Sequence, residues 1–162
     1  SLSIGQGELG CTPLQMANLA AIIANRGYYY IPHIVKAVEG ADSLDRRFYE
    51  KQYTKVDSKH FEPIIEGMWQ GVNVAGTSTQ ARLEGYDVCG KTGTAQTGVT
   101  NASDNGAFVC YAPAEDPQIA VVIYGEKAGH GSSLGEVARA ILDSYFELGS
   151  GSTQIIGENQ VN

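Results

Sequence analysis

Residues 85 to 96 read Gly-Tyr-Asp-Val-Cys-Gly-Lys-Thr-Gly-Thr-Ala-Gln, and the rest of the chain is organised around them. This glycine-flanked stretch carries one lysine, Lys91, and two threonines, Thr92 and Thr94. Its β-branched residues favour a strand, and glycines within a strand often mark a close approach by a ligand or another backbone. The stretch therefore predicts a strand over about residues 86–96 that borders a cleft.

The composition indicates one globular domain, or a piece of a larger one. The 162 residues are 43% hydrophobic and 18% charged, which argues against disorder. The formal net charge of −7 and the lack of a Lys/Arg cluster argue against a nucleic-acid partner. No apolar run approaches the roughly 20 residues of a membrane helix. Because the chain opens on Ser1 without a start methionine, we expect an excised fragment, which leaves room for an anchor or export signal upstream.

The cysteines and histidines predict neither a metal site nor a cofactor. Three cysteines are an odd number without metal-ligand spacing: Cys11, Cys89 and Cys110. One bridge, Cys89 to Cys110, stays open if their strands are neighbours, although buried free cysteine is the commoner state. The histidines are widely separated in the chain: His33, His60 and His130.

Two helices are predicted in the first half of the chain. The first has Thr12 as its N-cap, Pro13 at its first position and Gly27 just past its end. Its alanine-rich faces predict close packing on most sides. The second runs from Asp57 or Ser58 to residue 73, with its first turn delayed by a proline. Its apolar stripe is Phe61, Ile64, Ile65, Met68 and Val72. Between the helices we expect an extended edge segment at 28–38 and a surface loop at 40–56.

The second half predicts a hairpin and a last helix. Residues 107–112 and 118–124 alternate as strands around a tight polar connection, so they should form an antiparallel hairpin. The last helix starts near Ser133, with Glu136 completing a capping box. Its apolar face is Leu134, Val137, Ala138, Ile141, Leu142 and Tyr145. Residues 149–162 are predicted to be a flexible tail.

Residues 85–92 also match the phosphate-loop pattern Gly-x-x-x-x-Gly-Lys-Thr. That loop binds phosphate only between a strand and a helix N-terminus. The preceding residues 77–84 are polar, and the following Gly-Thr-Ala-Gln-Thr-Gly does not begin a helix convincingly. Nucleotide binding is therefore the disfavoured interpretation.

A different chemistry suits Lys91 to Thr94 on a strand. A lysine and alternate threonine hydroxyls offer a positive charge and donors to a carboxylate, and Gly93 leaves room for a ligand. A backbone N–H beyond Gly93 can stabilise a developing oxyanion, as acyl transfer requires. An edge strand could also pair with an extended peptide. The alternative is that Lys91 is only an exposed lysine that protects an edge strand.

Gly-Lys-Thr-Gly-Thr-Ala-Gln, with Lys91-Thr-Gly inside it, resembles the third signature of the penicillin-binding, serine transpeptidase family. Other segments match that family in order. They are Ile4-Gly-Gln-Gly-Glu-Leu-Gly-Cys-Thr-Pro-Leu-Gln-Met-Ala, Glu66-Gly-Met, Gly76-Thr, Phe108-Val-Cys-Tyr-Ala-Pro, the predicted strand from Ile119 to Tyr124 and the closing helix. The resemblance covers about residues 2–148 and is closest to class B enzymes of the penicillin-binding protein 2 type. It implies an α/β (α+β) fold in which antiparallel strands pack against helices, with residues 1–148 as the C-terminal part of the transpeptidase domain.

The chain departs from the family pattern at several points. No serine is followed by lysine three positions later, so the nucleophile signature Ser-x-x-Lys is absent from these 162 residues. Ser103-Asp-Asn has the form of the second signature, but it follows the lysine signature instead of preceding it, and we attribute it to chance. Asn105 and Ala107 stand where the family tends to carry His and Trp.

The resemblance implies roles for residues of the central stretch. Lys91 would set the charge and proton network of the site. Thr92 and Thr94 would bind the carboxylate of a peptidoglycan stem peptide or a β-lactam antibiotic, and Gly93 would be part of the same substrate-binding site. The Thr94 N–H would be one oxyanion donor. The serine that attacks the penultimate D-Ala carbonyl would come from elsewhere in the domain, so we expect no turnover by the chain alone.

The resemblance also implies partners and a location. The missing N-terminal part of the domain and a cell-wall elongation complex are the expected partners, at the periplasmic face of the bacterial inner membrane. A free strand edge favours self-association of the fragment. The competing hypothesis is a non-catalytic module of the same fold that binds peptides or serves as an interaction platform.

Overall fold

The structure is a computed structural model that describes residues 7–41 and 43–150, with side chains up to residue 147. Its helices are α1 (Pro13–Ala24), α2 (Glu62–Asn73) and α3 (Gly135–Ser150). Its strands are β1 (Tyr28–Tyr29), β2 (Gln52–Tyr53), β3 (Cys89–Ala95), β4 (Asn105–Ala112) and β5 (Ile119–Gly125). The last twelve residues, which make up most of the predicted tail, lie outside the described residues. The expected α+β architecture is confirmed.

The main sheet is antiparallel in the order β3-β4-β5. Lys91 lies opposite Val109, which lies opposite Val122, so the central stretch is in register with the predicted hairpin. The hairpin is confirmed. β3 is shorter at its start than the predicted strand, because Tyr86 instead forms an isolated bridge with Leu83.

The pleat of the sheet builds a core on each face. On one face, Phe108 and Cys110 pack with residues of α2, β5 and α3, and both are fully buried. On the other face, Cys89 and Tyr111 pack with α1 and α2, and both are also fully buried. The two cores therefore join all three helices to the sheet.

Cys89 and Cys110 are free, and the pleat explains why. Cys110 pairs with Gly90, so Cys89 is one residue out of step with it and belongs to the core of the opposite face. Neighbouring strands are therefore not sufficient for a bridge, because the two side chains point away from each other.

Burial of these thiols predicts a loss of stability at alkaline pH. Burial raises the pKa of the Cys110 thiol from 9.0 to about 12, so the folded state holds it neutral while the unfolded chain releases the proton. The stabilisation is complete below pH 9 and disappears as the pH rises towards 12, at up to about 1.4 kcal/mol per pH unit. The measurement is the urea-unfolding free energy at several pH values from about 8 upwards.

Cys110→Ala is the control for this prediction. It should show a shallower alkaline decline than the wild type, whatever its stability at neutral pH. Some decline should persist, since burial also raises the pKa of Cys89 and of Tyr111. Equal slopes for the two proteins would rule out Cys110 as a source of the decline.

α1 begins as predicted but is less buried than predicted. Thr12 accepts a hydrogen bond from Gln15 N–H, and the Gln15 side chain accepts one from Thr12 N–H, which completes a capping box. Ala20 and Ala24 are buried, whereas Leu14 and Leu19 are 62% and 46% exposed. The prediction of packing on most sides is wrong for the described residues, because only one face of the helix meets the sheet and α2.

α2 starts later than predicted. Residues Ser58–His60 form a 3₁₀ turn, and the α-helix begins at Glu62, next to Pro63. This is the delay that a proline in the first turn causes. The buried stripe consists of Phe61, Ile65, Met68 and Val72, whereas Ile64 is 47% exposed.

The segment between α1 and α2 is more ordered than the sequence predicts. β1 pairs antiparallel with β2, which lies inside the predicted surface loop. The pairing places the Tyr28 ring 6.0 Å from that of Tyr53. The loop prediction is wrong at β2, because a two-residue strand among charged residues leaves no periodic pattern to detect.

α3 starts differently from the prediction. Residues Gly131–Leu134 form a 3₁₀ turn, and Ser133 Oγ donates to the His130 carbonyl at 2.8 Å instead of capping the helix. The predicted capping box is therefore wrong. Ala138, Leu142 and Phe146 are buried. The predicted apolar face is correct in its centre only, since Val137, Ile141 and Tyr145 are 41–48% exposed.

Candidate active site

The candidate site lies on β3, which is an edge strand of the described sheet. The strand begins buried, at Cys89 and Gly90, and is exposed at Lys91 and again from Gly93 to Ala95, with Thr92 half-buried. The structure thus brings all four predicted site residues, Lys91 to Thr94, to the open end of one strand.

The edge of β3 is covered by α2 only over its first part. Asn73 Nδ2 donates to the Val88 carbonyl at 2.8 Å, and a Cβ built on Gly71 would lie 3.7 Å from the Gly90 oxygen. Two residues further on, the Thr92 carbonyl accepts a hydrogen bond from Lys91 Nζ at 2.7 Å. Every second carbonyl therefore points away from β4.

This alternation fixes the direction of the Thr94 backbone. In an antiparallel pair, the N–H and C=O of one residue point the same way, and the direction reverses at each residue. Thr94 is in phase with Val88, Gly90 and Thr92, so its N–H faces the same outer edge, beyond the part that α2 covers. A backbone donor at that place is available to a ligand.

Lys91 lies on the opposite face of β3 from Thr92 and lines a cavity of about 360 Å³. The cavity lies between the start of α1 and the sheet. Its walls are Cys11, Pro13, Met16, Lys91, Thr92, Gly93, Ala107, Phe108, Val109, Val122 and Tyr124. The lining is mostly apolar, and Lys91 is its one cationic side chain among the described residues. An anionic or polarised group that entered the cavity would meet this charge.

Thr92 and Thr94 each have a partner from a distant segment. Thr92 Oγ1 lies 2.8 Å from Thr77 Oγ1, and Thr94 Oγ1 accepts a hydrogen bond from Gly131 N–H at 3.3 Å. Neither threonine is buried, so both hydroxyls can also reach a ligand. Sequence reasoning noted the Gly-Thr pair at 76 and 77 but gave it no role, and it missed Gly131 altogether.

Gly131 comes unusually close to the sheet. A Cβ at this position would lie 2.2 Å from the Gly93 oxygen and 2.4 Å from the Ala107 oxygen. Only a glycine allows its backbone to approach the paired strands so closely. The contact holds the exposed end of β3 against the turn that precedes α3.

The Ser103-Asp-Asn segment, which has the form of the second family signature, makes ordinary loop hydrogen bonds. The Asp104 carbonyl accepts from Gly129 N–H, and Asn105 Oδ1 accepts from Lys127 N–H, so this pair stabilises the neighbouring loop. Over residues 7–41 and 43–150, no group of three or more His, Cys, Asp or Glu side chains could hold a metal ion. In the same ranges, no helix has the length and apolar character needed to cross a membrane.

Comparison with known proteins places the chain in a family. Residues 1–143 match the model of the penicillin-binding protein transpeptidase domain. The peptidoglycan D,D-transpeptidase MrdA of Acinetobacter baumannii is 31% identical over 90% of this chain, and the match covers 24% of that relative. The chain thus spans about a quarter of the length of this relative.

Solved structures agree with the sequence match. Penicillin-binding protein 2 of Pseudomonas aeruginosa, in complex with WCK 5153, aligns with a TM-score of 0.74 and 31% identity, over 96% of this chain and 34% of that one. Penicillin-binding protein 2 of Helicobacter pylori, in complex with MreC, aligns with a TM-score of 0.76 and 25% identity, over 91% of this chain and 27% of that one. The chain therefore belongs to the penicillin-binding protein transpeptidase family and resembles members of the penicillin-binding protein 2 type.

Proposed function

We propose that residues 1–148 are the C-terminal part of the transpeptidase domain of a peptidoglycan D,D-transpeptidase. The parent protein would cross-link stem peptides by serine acyl transfer and would bind β-lactams at the same site. The observation that carries this function is the exposed end of β3, where Lys91 and Thr92 line a cavity and Thr94 lies at the open edge of the strand.

Each residue at this end of β3 suits one requirement of the reaction. The Lys91 ammonium would stabilise negative charge and take part in proton transfer in the cavity. The Thr92 and Thr94 hydroxyls would donate charge-assisted hydrogen bonds to the substrate carboxylate. The Thr94 N–H would donate to the oxyanion of the tetrahedral intermediate, and Gly93 would leave room for the substrate backbone.

The nucleophile would come from the remainder of the domain. A serine hydroxyl there would attack the penultimate D-Ala carbonyl, its proton would pass to a base, and the terminal D-Ala would leave as the amine. An amine from a neighbouring stem peptide would then attack the acyl-enzyme and release the serine. The apolar cavity beside Lys91 and the outer edge of β5 are the surfaces on which the missing N-terminal part would pack.

The parent protein would work at the periplasmic face of the bacterial inner membrane, in a cell-wall elongation complex. The Acinetobacter baumannii relative is named a peptidoglycan D,D-transpeptidase, and a penicillin-binding protein 2 of Helicobacter pylori is held in complex with MreC, which supports a role in cell-wall synthesis. Without its remainder, the fragment would also be prone to self-association through the free sheet edge.

The test uses the full-length protein that carries this chain. It should form a covalent adduct with a fluorescent penicillin, and Lys91→Met should lower the second-order acylation rate about 10²–10⁴-fold, the usual contribution of a positioned proton-transfer group. Lys59→Met is the matched control, because Lys59 lies on the 3₁₀ turn before α2, away from β3, and pairs with the exposed Asp57. It should leave the rate unchanged.

The open outer edge of β3 also suits a second candidate function, a non-catalytic module of the same fold that binds an extended peptide by strand pairing. Absence of any adduct with the wild-type full-length protein would support this alternative and exclude the transpeptidase.

A further inference from the structure

The contact between Thr77 and Thr92 joins two segments that the sequence separates. The hydroxyl oxygens lie 2.8 Å apart, a good distance for an O–H···O hydrogen bond. Thr77 follows the end of α2, and Thr92 is the middle residue of the site strand. The contact therefore connects the α2 turn directly to the candidate carboxylate-binding hydroxyl.

The turn that carries Thr77 is held firmly against α2. A Cβ at Gly76 would lie only 2.8 Å from the Gly71 oxygen and 2.9 Å from its Cα, so the two backbones touch. Ser78 N–H donates to the same Gly71 oxygen at 3.3 Å, and Ser78 is 2% exposed. The backbone on both sides of Thr77 is thus held in place, and this position puts its hydroxyl beside that of Thr92.

The number of protons makes the direction of this hydrogen bond important. A threonine hydroxyl has one proton to donate and two lone pairs that can accept. If Thr92 donated to Thr77, it would have no proton left for a carboxylate. If Thr77 donates to Thr92, the Thr92 proton is free, and the first hydrogen bond polarises the second.

We propose that Thr77 is a positioning residue whose hydroxyl donates to Thr92 and so directs the Thr92 proton at the carboxylate of the stem peptide or β-lactam. This inference rests on the proposed function. A carboxylate favours this arrangement. Thr77 donates to Thr92, and Thr92 in turn donates a charge-assisted hydrogen bond to the carboxylate. In this arrangement Thr77 acts through Thr92 and is a positioning residue, not a catalytic one.

The experiment measures penicillin acylation by the full-length protein, with binding and chemistry separated by the dependence of rate on penicillin concentration. Thr77→Val keeps the shape of the side chain and removes the hydroxyl. It should raise the apparent dissociation constant about ten-fold, as expected for weakening a hydrogen bond to a charged group, and change the acylation rate at saturation less than three-fold. Thr77→Ser restores a hydroxyl and should restore wild-type binding.

A double-mutant cycle distinguishes positioning from a separate contribution. If Thr77 acts through Thr92, then Thr77→Val added to Thr92→Val should weaken binding by less than two-fold. Thr77→Ala, which lacks the γ atoms, should likewise weaken binding in the wild-type background but by less than two-fold in the Thr92→Val background. Thermal unfolding of each variant should match that of its parent within about 1 °C, because the exposed hydroxyl contributes little to stability.

Any of three binding results would overturn the proposal while leaving the proposed function intact. They are normal binding by Thr77→Val, failure of Thr77→Ser to restore binding, and losses that add fully in the double mutant. A loss of binding that follows a loss of thermal stability would also overturn it, in favour of a structural role. A wild-type protein that forms no adduct would refute the proposed function, and the inference would fall with it.

Discussion

The 162-residue chain by itself should form no covalent adduct with a fluorescent penicillin, whereas the full-length protein should be labelled close to one-to-one. Under the proposed function the chain would supply a charge, carboxylate donors and an oxyanion donor, but those groups would stabilise a transition state that needs a nucleophile. No serine of the chain has a lysine three residues later to activate it. The measurement is in-gel fluorescence with mass spectrometry of the intact chain.

Cys11 is a competing nucleophile that the same experiment can test. Cys11 is exposed and lines the same cavity as Lys91. A thioester on Cys11 would be removed by hydroxylamine and would be absent from Cys11→Ser. Circular dichroism must show that the chain is folded during labelling. A stoichiometric adduct on the folded wild-type chain would contradict the expectation, and its loss in Cys11→Ser would assign it to the Cys11 thiol.

Gly131→Ala should destabilise the fold more than any other addition of a single methyl group in the site. The added Cβ would lie 2.2 Å and 2.4 Å from two backbone oxygens, of Gly93 and Ala107, which no side-chain rotation can relieve. Either β3 and β4 shift or the turn before α3 moves away. Overpacking of this kind costs about 1–3 kcal/mol and sometimes more, and a clash with two backbone atoms belongs at the upper end.

The same substitution should also affect the site. Gly131 N–H donates to Thr94 Oγ1, so a displaced turn releases the hydroxyl that the proposed function assigns to the carboxylate. We expect Gly131→Ala to lower the urea-unfolding free energy by about 3 kcal/mol and to slow acylation of the full-length protein. Gly67→Ala is the control, because a Cβ on Gly67 in α2 meets nothing within 4 Å and should stabilise the helix by about 0.5–1 kcal/mol. A loss of unfolding free energy below about 1 kcal/mol for Gly131→Ala would contradict this expectation, because it would show that the turn before α3 can shift to accept the Cβ.

Local signals in the sequence predicted the framework well. Thr12 and Pro13 fix the start of α1, and the alternation around a short polar turn predicts the β4–β5 hairpin. These features depend on residues that are neighbours in the chain, so the pattern alone contains the information. Where the pattern was weak, at β2 and at the start of α3, the prediction was wrong.

The sequence by itself determined the chemistry available at the site, because Lys91, Thr92, Gly93 and Thr94 follow one another on a strand whose β-branched residues and glycines specify it. Only the tertiary structure decided which groups surround them. Thr77 reaches Thr92 because Gly71 and Gly76 let the turn after α2 pack closely against the helix. Gly131 reaches Thr94 because it lacks a side chain. Such contacts depend on strand register and on close packing of backbones that are distant in the chain, which no local pattern encodes.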